Sequence, residues 1–158
     1  MKIKIRSLLI TVGIGFVIQI LLFLVTDPFI GRGGIARWSP FFILLATIAI
    51  GMIYSFLANR EERLTMLSGI LGGAIAVIIV SALQAIFLVI YRWLEAPSVA
   101  AAWSQDLLRI NPLLVVMGIL VSFFGGLAIS GIIGAVGGAI GMFLVGMNDE
   151  DQDEQVLH

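Results

Sequence analysis

The apolar blocks of this chain decide what it can fold into. Leu8 to Val25, Phe41 to Ala58, Leu64 to Ile90 and Leu113 to Met147 contain no Asp, Glu, Lys, Arg or His. A helix needs about 20 mainly apolar residues to cross a hydrocarbon core roughly 30 Å thick. In lipid every backbone amide must also be satisfied inside the protein, which favours helices over irregular chain. Composition agrees, with 60% hydrophobic and 12% charged residues against about 45–50% and about 25% in an ordinary soluble domain. The expected fold is all-α, an integral membrane bundle of four transmembrane helices in a single domain over residues 1–147. An acidic tail, 148–158, has too little apolar content to fold and is expected to be disordered.

The polar intervals set the boundaries. Lys2, Lys4 and Arg6 precede an apolar run from Ser7 to Thr26; it exceeds the roughly 7–15-residue core of a cleaved signal and lacks an A-x-A site, so it reads as a retained first span. Thr26-Asp27-Pro28 stops that span, and Phe29 to Pro40 reads as a loop. Asn59-Arg60-Glu61-Glu62-Arg63 is so short a connection that spans two and three must form an antiparallel hairpin around it.

Between Arg92 and Pro112, Val99, Trp103, Leu107 and Ile110 fall at near-helical spacing. With Ser98 as N-cap and Asn111-Pro112 as terminator, they predict a short interfacial helix. The last block, Leu113 to Met147, would be roughly 50 Å long as a helix, well beyond the hydrocarbon thickness. A tilted projecting helix, a kink near Gly125-Gly126, or a hairpin making five crossings would each absorb the excess. The helical register of its small residues favours one continuous helix.

Four spans place both termini on one side. Of nine basic residues, Lys2, Lys4, Arg6, Arg60 and Arg63 share that side, while Arg32, Arg37, Arg92 and Arg109 lie opposite. This narrow bias puts the N- and C-termini in the cytoplasm of a multi-pass cell-membrane protein. Trp38, Trp93 and Trp103 fall with Tyr91 on the external side and read as interfacial anchors.

Gly118, Ser122, Gly126, Ser130, Gly134 and Gly138 put a small residue at every fourth position of the last span, the pattern of a glycine zipper. Lipid offers no hydrophobic drive for helix association, so close backbone approach in such a groove must supply it. Each four-residue step turns about 400°, so the row drifts by roughly 40° per member and calls for two partners or one right-handed crossing. Gly69, Gly73 and Ala76 in span three, and Thr47, Gly51 and Ser55 in span two, offer matching faces.

Ionisable groups are missing from the spans, which counts against proton relays, coupled transport and voltage sensing. The intramembrane polar amides are Gln19 and Gln84. An unpartnered amide in hydrocarbon costs on the order of 2–7 kcal/mol, and the parallel course of spans one and three makes a bond between the two glutamines the expected solution.

Chemistry is poorly provided for. With no cysteine, and one histidine at the last position, 158, thiolate metal sites and two-histidine haem ligation within this chain are excluded. No catalytic, cofactor-binding or metal residues are assigned and no cofactor is expected. Gly31-Arg32-Gly33-Gly34 lacks the Lys-Ser/Thr ending of a phosphate loop. Scattered basic residues supply no nucleic-acid platform. An enzyme would require Asp27, Arg32, Arg37, Glu95, Asp106 and Arg109 to gather over the external side.

The expected function is therefore non-enzymatic: a helix-packing accessory subunit or self-associating unit whose partners are the lipid bilayer and either itself or another membrane subunit. The alternative is an oligomeric channel or holin-like pore with Gly and Ser faces along the path.

Overall fold

The computed structural model describes residues 3–26, 38–61, 63–95 and 112–156. Among them the regular elements are all helices: α1 (Ile5–Thr26), α2 (Ser39–Glu61), α3 (Met66–Glu95) and α4 (Pro112–Val156). All four are long and apolar enough to cross a membrane. The helices overrun the charge-free blocks at most of their ends, because extending a helix costs little once it has nucleated.

The turn between α2 and α3 is built by side chains that satisfy loose backbone groups. Asn59 Oδ1 accepts from the Leu64 amide at 3.1 Å, and Thr65 Oγ1 accepts from the Ser68 amide at 3.4 Å. The Gly69 amide makes the first helical bond, to the Thr65 carbonyl at 3.1 Å. Thr65 is thus the N-cap of α3. Arg60, Glu61 and Arg63 are exposed around this turn.

The α2–α3 hairpin is the centre of the bundle. Both α1 and α4 pack against both of its helices, with little contact between α1 and α4 themselves. Ile50, Val77 and Val80 form one buried cluster, and Tyr54, Ala58 and Ala76 form another; Val12 of α1 covers both. Tyr54 is fully buried because the missing side chain of Gly72 leaves room for its ring. Its hydroxyl accepts from the Lys4 amide at 3.3 Å.

An aromatic ladder holds α1 to α3, with Phe23 touching Phe87 at 6.3 Å and Tyr91 at 5.4 Å between centroids, both edge-on. Edge-to-face pairs of this kind contribute about 0.5–1.5 kcal/mol beyond area burial. Because Phe16 also meets Phe87, the contacts advance in the same sense along both helices, which run parallel.

Helix α4 is continuous through Gly125-Gly126 and spans 45 residues. At about 1.5 Å per residue it is roughly 67 Å long, more than twice the hydrocarbon thickness. The helical backbone also runs on from Asn148 to Val156, where low apolar content favours disorder. Its Glu and Gln residues are good helix formers, and elongating an existing helix avoids the nucleation cost. The expected interfacial helix, Trp103, and the loop carrying Asp27, Arg32 and Arg37 lie outside the described residues, as do Asp106 and Arg109.

Candidate packing seam and polar cleft

Glycines bring α4 into backbone contact with the hairpin. A methyl group placed at Gly134 would stand 2.7 Å from the Gly73 carbonyl oxygen, and one at Gly138 would stand 2.5 Å from that of Gly69. At Gly51 it would collide with the Gly134 carbonyl, and at Gly137 with that of Ile48. Gly131 closes on Ile78 and Gly141 on Ser55 and Met52. The Ser55 hydroxyl donates to the Gly138 carbonyl at 2.8 Å, tying α2 to α4. Such approach brings Cα–H groups close to facing carbonyls, a weak attraction of about 0.5–1 kcal/mol each, and maximises dispersion contacts between the helices.

The six small residues singled out from the sequence divide between two environments. Gly134 and Gly138 are buried in this seam, Gly134 meeting both α2 and α3. Ser122, Gly126 and Ser130 line a cleft above it. Among the described residues none comes within 4 Å of a methyl group added at Gly118. Gly131, Gly137 and Gly141, which the every-fourth-residue row passes over, complete the seam. Staying on one side of a helix with 3.6 residues per turn requires alternating steps of three and four, as 131, 134, 138 and 141 do.

Above Gly131 the two surfaces separate. Leu114, Ile119, Val121, Phe124 and Ile129 are exposed, and Gly125 and Gly126 have nothing within 4 Å of an added methyl group. The cleft so formed has a volume of about 230 Å³ and is walled by Gln19 of α1, Thr47 of α2, Ser81 and Gln84 of α3, and Ser122 and Ser130 of α4. Among the described residues lining it none is ionisable.

The expected bond between the two glutamines is replaced by another. Gln19 Nε2 donates to Thr47 Oγ1 at 3.4 Å. Thr47 spends its own hydroxyl hydrogen on the Ile43 carbonyl at 2.7 Å, so its oxygen can only accept. This orients the Gln19 amide, and leaves Oε1 without a donor although the residue is only 3% exposed. Sequence reasoning missed Thr47 as the partner because a hydroxyl in a helix normally satisfies itself on the preceding turn; here it does so and accepts as well.

Of the proposed interfacial anchors, Trp38 stands exposed just before α2 with its ring edge-on to Phe41 at 6.5 Å, and Trp93 belongs to the last turn of α3. Gathered, these features make a bundle clamped by glycines at one level and opened into an uncharged polar cleft at another. The chain matches no family model, no curated protein and no solved structure.

Proposed function

We propose that the chain is a multi-pass cell-membrane protein with cytoplasmic termini that performs no chemistry of its own and works by helix association, pairing with a second copy through the outer face of α4. Four helices of spanning length and the absence of ionisable residues from their apolar blocks support the membrane placement. The carrying observation is the bare N-terminal half of α4. Gly118 and Gly125 lie on its outer side, about 20° apart at 100° per residue, with none of the described residues within 4 Å of an added methyl group, and the exposed Val121, Ile129 and Ile132 flank them. Small residues among large ones on an open face provide the close approach that membrane helices need in order to pair.

The test separates assembly from folding. Gly118→Leu with Gly125→Leu starts from positions where an added Cβ meets none of the described residues, so the bundle should form as before while the detergent-solubilised particle falls to the mass of one chain. A wild-type particle of one-chain mass, or a doubly substituted particle unchanged in mass, removes self-association. The pore reading rests on Ser122 and Ser130 beside an open cleft; ion flux into liposomes from the purified protein supports it, and sealed liposomes reject it.

A further inference from the structure

We infer that the cleft between α3 and α4 is a binding site for an uncharged lipid alcohol, a membrane-resident molecule with a small hydroxyl head and an apolar tail. The inference rests on the membrane placement proposed above but not on self-association, which uses a face of α4 about a quarter turn away.

Three observations define the ligand. The first is the pair of glutamine side chains, Gln19 and Gln84, set in the walls of the cleft. Amides surrounded by apolar chain need hydrogen-bond partners, and a ligand hydroxyl offers both a donor and an acceptor. The second is the character of the walls. Ser81, Ser122, Ser130 and Gln84 offer both donors and acceptors, and none of the described residues lining the cleft is charged, which favours an uncharged head over an ionised one. A volume of about 230 Å³ accommodates a head of several heavy atoms, since water occupies about 30 Å³ per molecule.

The third is the continuation of the cleft. Ala85 and Phe123 also belong to an adjoining groove of about 240 Å³ lined by Ile86, Val89 and Ile90, almost wholly apolar, between α3 and the free half of α4. A polar chamber that leads into an apolar slot takes a molecule with both parts. A soluble polyol would fill the chamber and leave the slot empty.

The full chain in phosphatidylcholine nanodiscs is exposed to diacylglycerol carrying a photoactivatable diazirine in one acyl chain, and the labelled peptides are mapped. Labelling is expected at Ile86–Ile90 and around Phe123, displaced by excess unlabelled diacylglycerol but not by glycerol. Gly126→Leu fills the chamber from a position with no neighbour within 4 Å and should lower labelling at least tenfold, as should Gln84→Leu, with helical content unchanged. Gly118→Leu should leave labelling intact. Equal labelling by phosphatidylcholine bearing the same diazirine, displacement by glycerol, or labelling indifferent to both cleft substitutions overturns the lipid-alcohol site. If the protein is instead soluble without detergent, the membrane placement is what fails.

Discussion

At Gly134 and Gly138 one methyl group is enough to force two helices apart, because the atoms opposite are carbonyl oxygens of a facing backbone rather than pliable side-chain ends. Overpacking of this kind costs typically about 1–3 kcal/mol. Gly138→Ala should lower stability by that amount in reversible unfolding from mixed micelles. Gly118→Ala, in open surroundings, should be neutral or stabilising by up to about 1 kcal/mol, since alanine is the better helix former. The contrast between two glycines of one sequence row is the measurement, and equal effects would mean the seam is not packed. Gln19→Leu removes an amide with an unsatisfied oxygen. Thr47 keeps its own bond to Ile43, so this substitution should change stability by less than about 1 kcal/mol in ligand-free detergent.

Among the elements, the helices were the most legible part of the sequence, because an apolar run free of charge has few alternatives once it is too long for a soluble core. The α2–α3 hairpin was equally legible from the shortness of its polar turn. Thr65→Ala should cost about 1 kcal/mol by removing the cap of α3, read as a lower midpoint of thermal unfolding with the assembly unchanged. Helix contacts were less legible. A strict four-residue row drifts around α4, so the sequence pointed to Gly118 and Gly126, which stand free, and overlooked Gly131, Gly137 and Gly141, which are buried in the seam. The ring of Tyr54 over Gly72 and the bond of Gln19 to Thr47 depend on the relative rotation and height of three helices. Periodicity within one helix does not encode that rotation.

For the molecule as a whole, the placement of α1 and α4 against a shared central hairpin, with little contact between them, means that neither outer helix holds the other. The hairpin carries the buried clusters, and the two outer helices are fixed by different means: aromatic edges for α1 and glycine backbones for α4. The proposed membrane placement makes a simple demand. Alkaline carbonate washing should leave the protein in the membrane pellet, and its release into the supernatant would remove that placement.

The glycine seam grips α4 only between Gly131 and Gly141, leaving the stretch from Leu113 to Ile129 largely uncovered. Mechanically this is an overhanging beam: a stiff rod gripped over a short middle length, whose N-terminal arm bends where it leaves the grip. Distances between spin labels at Leu114 and Val89 should therefore spread more widely than those between labels at Phe143 and Leu67, and compressing the bilayer should displace the first pair while barely moving the second.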